Sequence, residues 1–214
     1  MLRTIISNEW FTVLILLSVG ILAFTRYSYN SRFIDFLGLL GNSKYLKIYS
    51  RDQKFIDQFE SLLFTNLLIS GTIFIYVCYG VLYSPVDFEW ALFLKILLLF
   101  GTVLLIKVLI ERLIGSVFEI DSLIHEYVFQ KTNYKNYIGL VLLPLNVLLI
   151  YALPLSKTLI YAILGLIILI NLSGFFTSIK ANQKLILANF FYFILYLCAL
   201  EIGPYIILYQ VITD

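Results

Sequence analysis

The stretch FLKILLLFGTVLLIKVLIERLIG, residues 93–115, decides the fold. It is long and apolar enough to cross a bilayer, whose hydrocarbon core takes about 20 residues of helix. Yet Lys95 and Lys107 interrupt it, and Glu111 and Arg112 close it. The rest of the chain is of the same kind. Of its 214 residues, 61% are hydrophobic and 13% charged, whereas soluble domains run nearer about half and about a quarter. A water-soluble core of this size cannot hide so much apolar surface, so the chain reads as an integral membrane protein. The net charge of only +2 argues against nucleic acid as a partner and leaves the lipid bilayer as the first one.

Six runs are candidate spans: residues 10–25, 62–83, 88–110, 137–153, 158–177 and 185–212. They are continuous rather than alternating, which selects helices over a β-barrel. The expected fold is an all-α polytopic bundle of about six transmembrane helices in a single membrane domain, residues 1–214. Arg3 precedes the first run, but no small-x-small cleavage pattern follows, so this run reads as a retained span. Of the loop Lys and Arg residues, eleven fall in the connections 26–60, 112–136 and 178–184, against two, Arg3 and Lys157, on the other side. The positive-inside rule then places those three connections in the cytoplasm and both termini outside it. Trp10, Tyr83 and Trp90 fall at outer boundaries and Tyr134 and Tyr137 at an inner one, as an aromatic belt would. Pro85 and Pro154 fall in the two short outer turns.

Two cytoplasmic stretches carry amphipathic periodicity. In residues 32–40, Phe33, Phe36, Leu37 and Leu40 share a helical face; in residues 119–129, Ile120, Leu123, Ile124, Tyr127 and Val128 do. Both are too short and too charged to span, and suit helices lying at the cytoplasmic surface. There they would seal the rim of the bundle or offer a partner a surface.

The polar residues inside the spans need partners. Lys107 falls at the inner boundary, with Glu111 one helical turn on and Arg112 beside it, so Lys107 and Glu111 are expected to pair at the inner end of the third span. Lys95 lies about 10 Å inside the outer boundary, and Glu201 about 16 Å from the end of the sixth span. An unpaired charge at such a depth costs at least about 2.5 kcal/mol, so Lys95 and Glu201 are expected to meet. Asn66, Asn146 and Asn171 are expected as buried polar groups, with Gly71, Gly101, Gly165 and Gly174 allowing close helix contacts. Pro144 and Pro204 free backbone carbonyls near Asn146 and Glu201.

Catalytic signatures are absent: there is no His-Glu-x-x-His, no Gly-x-Ser-x-Gly and no paired intramembrane aspartate. His125 is the single histidine, and with Asp121 makes too small a set for a metal. Cys78 and Cys198 lie in apolar runs and read as small buried hydrophobes. The chain is thus expected to be no enzyme and to need no cofactor or metal.

The segment YFILYLCALEIGPYIILY, residues 192–209, carries Leu195, Tyr196, Cys198, Leu200, Glu201 and Pro204 in a Leu-Tyr-x-Cys-x-Leu-Glu-x-x-Pro pattern. With SRDQKFIDQFESLLFTNLLIS, residues 50–70, and NYKNYIGLVLLPLNVLL, residues 133–149, it resembles a domain-of-unknown-function family of small multi-pass inner-membrane proteins from Bacteroidota. The resemblance implies a bacterial inner membrane and carries over no established activity. The expected role is a non-enzymatic subunit or accessory factor of a cell-envelope complex, in export or secretion, working with other membrane proteins. The alternative is a small proton- or ion-coupled transporter using Lys95 and Glu201.

Overall fold

The structure, a computed structural model, describes residues 9–41, 44–50, 57–82, 88–117 and 121–181. The sixth span, with Glu201, Cys198 and Pro204, lies outside the described residues, as do Tyr83 and Pro85. The described residues are helical, with no strand among them. In chain order they form α1 (Glu9–Ser28), α2 (Asn30–Leu37), α3 (Lys44–Tyr49), α4 (Gln58–Leu82), α5 (Trp90–Val117), α6 (Asp121–Val147) and α7 (Lys157–Ala181). A π-helical turn, Leu148–Ala152, continues α6. Five helices are long and apolar enough to cross a membrane: α1, α4, α5, α6 with its π turn, and α7.

The bundle is built around α4 and α6, which pack on each other along their lengths and are touched by α1, α5 and α7. The outer helices keep much of their apolar surface exposed. Val13, Leu16 and Phe24 of α1, Leu98, Leu99 and Val103 of α5, and Ile168, Leu169 and Phe176 of α7 all point outward. Exposed apolar surface of this extent suits lipid and not water, so the chain is a membrane protein. At 28 residues α5 is about 42 Å long, more than the roughly 30 Å of hydrocarbon, so it projects beyond the bilayer.

Local chemistry explains the helix ends. Asp57 caps α4: its Oδ1 accepts the Phe59 N–H at 3.1 Å, and its carbonyl accepts the Ser61 N–H at 2.9 Å. This cap starts the second span at Gln58, a turn earlier than its apolar run. Ser156, after the Pro154 turn, caps α7 by accepting the Leu159 N–H at 3.3 Å. Pro144 cannot donate to the Leu140 carbonyl, and beyond it the ladder widens to the π turn, closed by Leu153 N–H to the Leu148 carbonyl at 2.8 Å.

Two surface helices were expected from the amphipathic stretches, and both are reshaped. Residues 121–129 are not a separate helix in the headgroup plane: they are the first turns of α6, continuous with the fourth span. Ile124, Tyr127 and Val128 are buried there against neighbouring helices. In α2 the buried face is Phe33 and Phe36, continued by Leu39, while Leu37 and Leu40 are exposed together with Ile34. Phe36 sits edge-on to Tyr45 of α3 and Phe59 of α4, at ring centroids 5.5 and 5.9 Å apart. These edge-to-face rings fold α2 and α3 back under the bundle as a cap.

The opposite end is closed by another aromatic cluster. Trp10 and Trp90, half-exposed, meet at 5.0 Å, and Phe88 bridges them to Phe11 and Tyr76. The Tyr76 hydroxyl accepts the Glu89 N–H at 3.0 Å. Tyr134, expected in a belt at the other boundary, is instead buried, its ring against Gly174 of α7.

Candidate functional site

Two clusters of charged residues lie at the end of the bundle away from Trp10 and Trp90. Gly115 is what brings them together: a Cβ there would lie 2.9 Å from the Ile124 Cβ, so α5 and α6 close tightly at their turn. One to two turns above, Glu111 of α5 faces Lys131 of α6. The Glu111 side chain is 1% exposed, and its Oε1 accepts from Lys131 Nζ at 2.5 Å. Lys131 Nζ also stands 5.6 Å from the centre of the Tyr127 ring. Thus Lys131, across the hairpin, holds the carboxylate that the spacing assigned to Lys107; Lys107 and Arg112 are half-buried on α5. Glu111 lies about 32 Å from Trp90 along α5, so the pair sits at the edge of the hydrocarbon.

A second charged cluster ties the cap to the bundle. The Arg32 guanidinium of α2 pairs with Asp57 and lies 3.5 Å from a Glu60 oxygen. It also stacks over Phe59 at 4.6 Å and Tyr49 at 4.8 Å. Asp57 therefore caps α4 and anchors α2 at once. Beside it, Tyr45 is fully buried and donates its hydroxyl to Asn133 Oδ1 at 3.2 Å. Burial pushes the Tyr45 phenol well above the usual tyrosine range, against the opposing pull of Arg32, and keeps it protonated as that donor. A lysine cannot reach two carboxylates in a fork while stacking on rings. Arg32→Lys is expected to lower unfolding stability in detergent by about 1–2 kcal/mol, since the site is partly solvated. A thermal melt unchanged from wild type would remove Arg32 as the cap's anchor.

Deep in the bundle, a polar network joins three helices. Ser18 of α1 donates to Asn66 Oδ1 of α4 at 2.5 Å. Ser70 donates to the Asn66 carbonyl at 2.6 Å, with the Gly139 carbonyl of α6 as a second acceptor at 2.9 Å. Asn146 of α6 donates to the Ser70 carbonyl at 2.8 Å. All four side chains are buried. Asn66 and Asn146 stand where the sequence expected buried amides. Ser18 and Ser70 were missed, because a serine in an apolar run gives little signal beyond small size. Asn171 departs from expectation: it is exposed and donates to the Ile167 carbonyl of its own helix at 3.0 Å.

The glycines divide. Gly71 lies against Phe100, Gly101 against Leu68 and Gly174 against Tyr134, whereas Gly165 has open space around it. Among the described glycines, the one that meets the backbone of another helix is one the sequence did not single out. A Cβ on Gly139 would fall 2.6 Å from the Leu67 Cα.

Lys95 is exposed on α5, flanked by exposed Leu94, Leu98 and Leu99. Glu201 lies outside the described residues, so the structure gives no distance between them. Among the described residues no group of three His, Cys, Asp or Glu side chains could hold a metal ion. No curated protein matches the chain, and no solved structure does. Residues 11–212 match the family described as Domain of unknown function (DUF4271), and across nearly its whole length the chain belongs to that family.

Proposed function

We propose that this chain is a non-enzymatic integral subunit or accessory factor of a bacterial cell-envelope complex, in export or secretion. It sits in the inner membrane with the Glu111 end in the cytoplasm and both termini outside. The observation that supports this best is how the charges at the Glu111 end are used. Glu111 is matched to Lys131, and Arg32 to Asp57 and Glu60, each across two helices. Such pairs fix the register of helices and the seat of the α2–α3 cap. They leave Ile34, Leu37 and Leu40 exposed on a rigid surface, which suits a membrane partner with an apolar cytoplasmic face. A photo-crosslinking residue at Leu37 is expected to give one discrete adduct with another membrane protein in native membranes, lost on Ile34→Asp. Only lipid adducts, or none, would overturn the partner reading.

The orientation has its own test. The eleven-to-two bias of Lys and Arg predicts an active periplasmic phosphatase fused after Asp214 and an inactive one fused in the loop after Val117. The reverse pattern would invert the topology.

A second reading is a small proton- or ion-coupled transporter in which Lys95 pairs with Glu201. The exposure of Lys95 among leucines favours it, since an ammonium on that face needs an acidic cover. Proton flux in proteoliposomes that disappears in both Lys95→Met and Glu201→Gln would select this reading.

A further inference from the structure

Helix α7 puts a carboxamide where the bilayer gives it nothing to bond. Of the asparagines in the described spans, Asn66, Asn133, Asn136 and Asn146 are buried, and only Asn171 faces outward. Its Nδ2 donates to the Ile167 carbonyl of its own helix at 3.0 Å, and among the described residues it makes no other hydrogen bond. Its Oδ1 and its second N–H are left for something outside the chain's described helices. Asn171 lies about 21 Å along α7 from Lys157. With hydrocarbon about 30 Å thick, it stays about 9 Å short of the far edge, and its side chain, unlike that of a lysine, is too short to snorkel out.

The residues around it repeat as a helix-pairing seam. Tyr161, Leu164, Ile168, Asn171 and Phe175 follow alternating steps of three and four, the heptad spacing of two helices packed side by side. The seam lies about 100° round α7 from Ile160, Ile163, Ile170 and Gly174, which are buried towards the bundle. Tyr161 and Ile168 are 60% and 57% exposed, and Leu164 and Phe175 are half-buried at the edge. We propose that this seam pairs with a second copy of the chain across a two-fold axis along the membrane normal, the two Asn171 carboxamides hydrogen-bonded to each other. The chemistry of Asn171 selects the copy. Copies inserted by the same rule share one orientation, so the axis sets each residue opposite itself at equal depth. A carboxamide is donor and acceptor at once, so the free N–H of each meets the Oδ1 of the other and no further polar group is needed. One asparagine in such a seam fixes register and the number of helices. A lipid chain offers neither donor nor acceptor, and an unrelated helix would have to bring a polar group to the same depth. The pairing does not depend on which partner the cap engages.

Crosslinking of the full chain in native membranes, with Cys78 and Cys198 changed to Ala, tests it. On mild oxidation Ile168→Cys is expected to give a disulfide-linked dimer of this chain, and Leu166→Cys, exposed on the opposite side of α7 from the seam, is not. In lipid bilayers, energy transfer between labelled copies measures the affinity. Asn171→Leu is expected to weaken the dimer about tenfold, the loss of two interhelical amide bonds of the usual strength in a membrane. Asn171→Gln, which keeps donor and acceptor, is expected to hold most of the wild-type affinity. Asn171 faces outward, so neither change disturbs the fold of one copy, and melting in detergent checks this. No dimer through Ile168→Cys, equal crosslinking through Leu166→Cys, or an affinity unchanged in Asn171→Leu overturns the proposal. An adduct of Ile168→Cys with a different protein would assign the seam to that partner and also overturn it.

Discussion

Replacing Lys131 with Met is expected to lower the unfolding free energy by about 3–5 kcal/mol, the cost of stranding a buried charge. The carboxylate it leaves behind, Glu111, is 1% exposed and has its second oxygen, Oε2, without a hydrogen-bond partner. Glu111→Gln should do less damage, because the Lys131 side chain is 16% exposed and its stem can turn the ammonium toward headgroups. The double variant should lose less than the sum of the two, since neither charge is then stranded. Reversible unfolding of the four proteins in mixed micelles measures the cycle. Additive losses would show that the pair is incidental to the α5–α6 hairpin.

Gly139→Leu is expected to abolish folded yield, and Gly139→Ala to destabilise by at least about 1–3 kcal/mol, the usual range for overpacking. The atom a Cβ would meet is the Leu67 Cα, which no rotamer change can move aside. Helices α4 and α6 would have to separate, drawing the Ser70 hydroxyl away from the Gly139 carbonyl and the Asn146 amide away from the Ser70 carbonyl. Gly165→Ala is the control. Nothing lies within 4 Å of that position, so removing a helix-interior glycine there should be neutral or stabilising by up to about 1 kcal/mol. Equal melting temperatures for the two alanine variants would mean that the α4–α6 crossing is looser than described.

The contrast between Gly139 and Gly165 shows what sequence carries and what it does not. Long apolar runs announce spans because the bilayer sets both their length and their composition, so five helices fall where the runs are. Which glycine serves a crossing depends on how two helices meet, and that is absent from either helix alone. The same holds for Glu111. Its spacing from Lys107 suggested a pair within one helix, while the partner found stands across a turn whose tightness depends on Gly115. The cap on α4 hid a boundary, since Asp57 starts a helix while its neighbours are still polar. The amphipathic pattern of residues 119–129 was read as a surface helix, whereas residues 121–129 are the foot of α6, because periodicity reports a buried face and not what buries it.

The continuity of α6 has a mechanical consequence. It runs unbroken from the charged layer to Pro144, and its close approach to the α4 backbone, Gly139 on Leu67, lies partway along. From that crossing it is about 12 Å down to Lys131 and about 15 Å up to Leu149. Because α6 also packs on α4 along its length, a tilt about that crossing would have to break the α4–α6 interface on both sides of it at once, so the crossing fixes the angle of α6 as well as its spacing.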